Sequence, residues 1–216
     1  MSGKLTIRQK RTLAFFIEAA QKIIERDGFD NVNIRKIAKE AGYNSATIYN
    51  YYKDLDHLLQ FACVQYLIEY QNKLTNVLKD LSDPRDIYFT TWKIFAAECH
   101  ARPKVYYHLF FSKHKNSIDE TFYRYIEIFD IKYELVLKDE IFSFITLPNL
   151  FDRHEILLGS LAKNSIITNR DIKEKAEIII LTFESMLNYL KIDPDYYTKK
   201  EFTDRIIQYS RILLDI

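Results

Sequence analysis

The chain is expected to be all-α, on two observations. Gly and Pro are scarce, with 4 of each in 216 residues, which favours long helices with few tight turns. Apolar residues also recur at three- and four-residue spacing through most of the sequence, between recognisable caps. With 48% hydrophobic residues the chain can build a sizeable core.

The first helix begins after Thr6, which has capping-box spacing to Gln9, and ends at Gly28. Leu13, Phe16, Ile17, Ala20, Ile23 and Ile24 form its apolar face. Asn33 caps a second helix with Ile34, Ile37, Ala38 and Ala41 on one side, and Gly42 supplies the left-handed residue that ends it. Asn44 caps a third, in which Ile48 and Tyr52 face inward while Ser45, Thr47, Asn50 and Tyr51 point outward. Two short helices around a glycine turn are the pattern of a DNA-binding helix-turn-helix.

A fourth helix follows the Asp54 cap and runs to about Lys79; its apolar residues spread over more than one face, as in a helix contacted from several sides. Ser82-Asp83-Pro84 starts a fifth helix, to about Ala101, and Pro103 restarts the chain as a short sixth. A seventh begins near Ser117 with Phe122, Tyr125, Ile126, Phe129 and Tyr133 at helical spacing. Ile141 to Pro148 has no clear period, and another helix follows from about Asp152 to Ser165. The last two run from about Arg170 to Lys191 and from about Thr198 to Leu214. The expected domains are residues 1–54, the reading head, and 55–216, a larger helical domain.

The formal net charge is only +1, but it is unevenly placed. Residues 1–54 hold 10 Lys+Arg against 6 Asp+Glu, and residues 55–216 hold 21 against 24. Lys4, Arg8, Lys10 and Arg11 form an acid-free arm suited to phosphates. Cys63 and Cys99 read as buried free thiols. No signal-like segment and no long apolar run is present, so the cytoplasm, without membrane association, is the expected location.

The segment from Asn33 to Leu59 closely resembles the N-terminal domain of the tetracycline-repressor (TetR) family of bacterial transcription regulators. Gly28-Phe29 resembles the end of that family's first helix, Ile37-Ala38-Lys39-Glu40-Ala41-Gly42 its second helix and turn, and Ala46 to Lys53 its recognition helix. The resemblance implies that Ser45, Ala46, Thr47 and Asn50 face the major groove; Asn50 can bond bidentately to adenine. It implies phosphate contacts for Tyr49, Tyr51 and Lys53, with Arg35 and Lys36 clamping the backbone from the second helix. Leu55 and His57 depart from the family pattern: a frequent lysine is missing at the first, and the fourth helix's capping box is left incomplete at the second.

The resemblance further implies a larger ligand-binding and dimerisation domain. Its pocket is expected in the aromatic middle region, with Trp92, Phe95, Phe110, Phe122, Tyr125 and Phe129 as candidates, although aromatic stripes also build ordinary cores. The last two helices are expected to pair subunits, with Ile179, Phe183, Met186, Leu187 and Leu190 at the interface. Catalysis finds no support: there is no phosphate-cradling loop or nucleophile elbow, and the five histidines show no metal-ligand spacing, so no metal or cofactor is expected. The resulting expectation is a homodimeric regulator, a repressor on a near-palindromic double-stranded operator, released by a small organic ligand. The alternative is a DNA-bound protein acting through a protein partner with no ligand.

Overall fold

The computed structural model describes residues 5–132 and 140–216, leaving aside the side chains of residues 140–142. Lys4 and Tyr133, and the side chain of Ile141, therefore lie outside the described residues. Among the described residues there are no strands and ten α-helices: α1 (Ile7–Asp27), α2 (Ile34–Ala41), α3 (Ser45–Ile48), α4 (Leu55–Leu78), α5 (Pro84–Ala101), α6 (Pro103–Phe111), α7 (Ile118–Ile128), α8 (Leu150–Lys163), α9 (Ile172–Ile192) and α10 (Lys199–Leu214). The aperiodic stretch before α8 forms 3₁₀ turns over Glu140–Thr146.

The chain divides into two compact units, Met1–Gln65 with Phe111–Glu134, and Tyr66–Phe110 with Leu135–Ile216. The first unit thus takes in more chain than the reading head of residues 1–54. Polar ties account for the addition. Gln60, fully buried on α4, donates to the His114 carbonyl (2.9 Å) and accepts from Thr121 Oγ1 (2.8 Å). Gln21 on α1 donates to the Tyr125 hydroxyl of α7 (3.3 Å).

Local chemistry sets the ends of α1. Thr6 Oγ1 accepts from the Gln9 amide while Gln9 Oε1 accepts from the Thr6 amide, completing the expected capping box. At the other end Gly28 takes φ 87°, a conformation open to a residue without a Cβ. The buried face of α1 centres on Phe16, whose ring lies 5.0 Å from that of Tyr43 and 6.4 Å, edge-on, from that of Tyr52. The Tyr52 hydroxyl donates to the Leu13 carbonyl at 3.0 Å in a buried setting.

In the second unit Phe183 of α9 is fully buried, its ring centroid 5.2 Å from Trp92 and from Phe95 of α5 and 5.5 Å from Phe202 of α10. Full burial of such a side chain is worth about 1.5–3 kcal/mol. Asn149 caps α8, and Thr198 with Glu201 forms a second capping box at the start of α10. Both cysteines are buried and free, and burial pushes both thiols upward, away from the reactive thiolate.

Tyr52→Phe removes the hydroxyl and leaves the Leu13 carbonyl buried without that donor. We expect a loss of about 1–3 kcal/mol, read as a lower urea midpoint at unchanged slope.

Candidate nucleic-acid interface

The reading segment is held at both ends by side-chain and turn chemistry. Asn33 Oδ1 accepts from the Lys36 amide (2.9 Å) and starts α2. Gly42 closes α2 in the left-handed region, φ 75° and ψ 29°, which lets the Tyr43 amide reach back to the Ala38 carbonyl (2.9 Å) and the Gly42 amide to that of Lys39 (3.2 Å). That pair is a Schellman closure. Two residues on, Asn44 Oδ1 accepts from the Ala46 amide (2.9 Å) and starts α3.

The recognition segment is shorter as a helix than the sequence suggests. α3 spans Ser45–Ile48, and the chain continues to Tyr52 through tighter turns, with Asn50 bonded to the Thr47 carbonyl and Tyr51 to that of Ile48. The tightening carries Ile48 and Tyr52 into the core, both buried as expected. It leaves Ala46, Tyr49, Asn50 and Lys53 exposed, and Ser45, Thr47 and Tyr51 half-buried. Arg35 and Lys36 are exposed on α2, where Lys36 Nζ lies 3.8 Å from Asp27. Tyr51 also touches Phe16, ring to ring at 6.3 Å.

Of the basic arm, Arg8, Lys10 and Arg11 lie within α1, and Lys10 is paired with Asp130 at 2.6 Å. That acid sits just after α7 in the sequence, and no local pattern pointed to it.

The start of α4 corrects the reading of His57. Asp54 Oδ1 accepts from the His57 amide (2.8 Å), and His57 Nδ1 in turn accepts from the Lys53 amide (3.2 Å). The imidazole therefore takes over the reciprocal half of a capping box, one residue before the usual target. Asp54 also receives His114 Nε2 (3.0 Å) and Lys113 Nζ (3.1 Å). Those bonds outweigh burial and hold its carboxyl near about 2. Burial, then the nearby His114 and Lys53 charges, lower His57 to about 4, so it stays neutral and able to accept.

Beside this junction a groove of about 360 Å³ opens within the first unit, lined by Tyr49, Asn50, Lys53, His57, Glu120 and Arg124 among others. Glu120 and Arg124 were not anticipated next to the reading segment, because their proximity depends on how α7 folds back.

The six aromatic candidates for a ligand separate. Trp92, Phe95 and Phe110 belong to the second unit, and Phe122, Tyr125 and Phe129 to the first. Phe95 packs against Phe110 (5.7 Å) and Trp92 (6.0 Å), while Tyr125 packs against Phe129 (4.5 Å). Phe122 is fully buried. Trp92 and Phe95 line a cavity of only about 20 Å³. Five of these rings are buried inside the chain, and Phe129 is half-buried.

The five residues expected between subunits, Ile179, Phe183, Met186, Leu187 and Leu190, are likewise buried inside the chain. Their face of α9 is the one that meets Trp92, Phe95 and Phe202. The exposed apolar residues of α9 are Ile178, Leu181, Tyr189 and Ile192, which with Ser185 run along one stripe, and α10 exposes Tyr209 and Ile212.

A helix-turn-helix closed by Gly42, with exposed Asn and Lys side chains, has the architecture of a DNA-binding domain. Residues 16–60 match the family model of the bacterial regulatory proteins of the tetR family. Its members are transcriptional regulators and not enzymes. FadR from Thermus thermophilus, a TetR-family repressor in complex with lauroyl-CoA, has a similar fold, with 14% identity over 94% of this chain and 93% of that one and a TM-score of 0.64. FadR from Bacillus subtilis with stearoyl-CoA gives 13% identity over 93% and 97%, TM-score 0.58. RolR with resorcinol gives 16% over 97% and 95%, TM-score 0.56. No curated protein sequence matches. No helix among the described residues is long and apolar enough to cross a membrane.

The neutral acceptor role of His57 makes stability depend on pH. In the unfolded chain a histidine takes its proton near 6.5, whereas folded His57 does so near about 4 and buried His154 near about 3. Between those values the unfolded chain binds more protons, so stability rises with pH up to about 6.5 and falls on acidification. The urea midpoint should drop from pH 7 to pH 5, and His57→Gln should flatten that slope; a midpoint that rises toward pH 5 would contradict the assignment.

Proposed function

We propose that this protein is a homodimeric repressor that reads a near-palindromic operator through Ala46, Thr47 and Asn50 and is released by a small organic ligand. The observation that carries the reading is the exposure of Ala46, Tyr49, Asn50 and Lys53 on a segment fixed by Asn44, Gly42 and Tyr52. Fixed orientation lets side chains report base edges rather than only attract phosphate. Ser45 lies beside them, while Tyr49, Tyr51, Lys53, Arg35 and Lys36 supply phosphate contacts. One short segment specifies few base pairs, so two copies related by a two-fold axis are needed. The exposed stripe of α9 and the exposed apolar residues of α10 suit that pairing. The ligands held by FadR and RolR support a small-molecule effector, acting through α4, whose backbone is shared by both units. A ligand regulates only if it prefers the DNA-free arrangement.

One observation favours the alternative of a protein partner without a ligand: the aromatic core of the second unit is almost filled. Bound operator fragments selected from genomic DNA decide the first part, and recovery of a small molecule that lowers operator affinity decides between the two.

On the selected site, Asn50→Ala should cost about 1–3 kcal/mol and relax preference at one position per half-site. Lys53→Ala should weaken all sequences alike and reduce the salt slope by about 1. Identical discrimination by the parent and Asn50→Ala would remove the base-reading role. Leu181→Glu should yield folded monomers in sedimentation, whereas Phe183→Glu should instead unfold the chain. A Leu181→Glu protein that sediments as the parent dimer would place the interface elsewhere.

A further inference from the structure

The groove beside the Asp54 junction lies wholly within the first unit, and its volume of about 360 Å³ is that of a small-molecule site. Aromatic rings make up much of its wall: Tyr49 and Tyr51 come from the reading segment and Phe61 from α4, where Phe61 is buried. The opposite wall is α7, which contributes Glu120 and Arg124.

Three polar groups of the groove have no partner among the described residues. The first is His57 Nε2. Because Nδ1 accepts from the Lys53 amide (3.2 Å), the neutral ring carries its hydrogen on Nε2 and can only donate there. The others are the Lys53 ammonium and the Glu120 carboxylate, both on exposed residues and neither in an ion pair or hydrogen bond. Both charges lie close enough to the His57 ring to act on it, Lys53 opposing its protonation and Glu120 favouring it. Arg124, the remaining cation, is already paired with Glu127 at 2.6 Å.

We propose that this groove binds a small aromatic amino acid as its zwitterion, with the carboxylate at Lys53 and His57 Nε2, the ammonium at Glu120 and the ring against Tyr49, Tyr51 and Phe61. An occupant takes these charges partly out of water, and any charge left unmatched then costs free energy. A simple acid strands Glu120, and a simple amine strands Lys53. A phosphate is repelled by Glu120, which sets the groove apart from a slot for the DNA backbone. One positive and one negative group beside an aromatic wall call for both charges and a ring in a single molecule.

The groove also contains Asn50 and Lys53. An amino acid held there occupies the side chains that the proposed operator contacts require, so the two exclude each other directly. This consequence rests on the DNA-reading role proposed above; binding of the amino acid does not. Direct exclusion raises the apparent operator Kd in proportion to ligand concentration with no ceiling, whereas an effector acting through α4 reaches a plateau set by its coupling.

The full chain would be titrated with L-phenylalanine, with 3-phenylpropanoate, which lacks the ammonium, and with 2-phenylethylamine, which lacks the carboxylate, using ligand-observed NMR. Phenylalanine should bind saturably and more tightly than either analogue by about threefold or more, since each ion pair at a partly open site is weak. Glu120→Gln should remove its advantage over 3-phenylpropanoate alone, and Lys53→Met its advantage over 2-phenylethylamine alone, each with an unchanged far-ultraviolet circular dichroism spectrum. Absent saturation, equal binding of the three probes, or parental preferences in both variants would each overturn the site. Operator titrations at increasing phenylalanine should give an unlimited linear rise in apparent Kd; a plateau or no effect overturns direct exclusion and leaves the site. Failure of the chain to bind any duplex removes the regulator reading, while the three-probe comparison still decides the amino-acid site.

Discussion

The exposed face of the helix-turn-helix depends on the docking of Phe16 and Leu13 of α1 against the chain that follows α3. α3 is a single turn, and a helix that short has no stability of its own, since nucleation costs more than one turn of hydrogen bonds returns. Its conformation is imposed from outside. Phe16 supplies the apolar surface for Tyr43, Tyr51 and Tyr52, and the Tyr52 hydroxyl ties that end to the Leu13 carbonyl. With Ile48 and Tyr52 turned inward, Ala46, Tyr49, Asn50 and Lys53 have nowhere to go but solvent. Exposure of these four residues is thus a consequence of core packing on α1.

The Asp54 junction extends the same logic to the rest of the first unit. One carboxylate caps α4, receives the His114 ring and pairs with Lys113, while Gln60, less than two turns on, binds the carbonyl of His114. The Lys53 amide, at the edge of the reading segment, is held through His57 to the same place. A displacement of residues 113 and 114 therefore changes the partners of the residue that starts α4 and, through it, the backbone of a phosphate-contact candidate. Exposed ion pairs such as Lys113 with Asp56 contribute little to stability by themselves; the half-buried, multiply bonded Asp54 gives this junction its definition.

In the second unit, helical phase separates the buried and exposed apolar residues of α9. On α9, Phe183, Met186, Leu187 and Leu190 point into the chain while Ile178, Leu181, Tyr189 and Ile192 point out. Leu181 and Phe183, two positions apart, take opposite fates because each residue advances about 100° around the helix. α9 is thus apolar on both sides, with one side in the chain's own core and the other at its surface.

Much of this was legible in the sequence because it is local. The caps at Thr6, Asn33, Asn44 and Asp54, the left-handed Gly42, the inward Ile48 and Tyr52, and the helical class all follow from residue chemistry acting over four or five positions. Periodicity also identified α9 as apolar over a wide arc, but it could not say which part of that arc the chain keeps for itself. That choice was made by Trp92, Phe95 and Phe202, which are remote in sequence. The same holds for the joining of α7 to the first unit, the pairing of Lys10 with Asp130, the substitution of His57 into a capping role and the meeting of Trp92 with His154. Each depends on which segments become neighbours, and only the tertiary structure decides that, because the free energy of burial is shared among all the contacts of a core rather than written in any one stretch of chain.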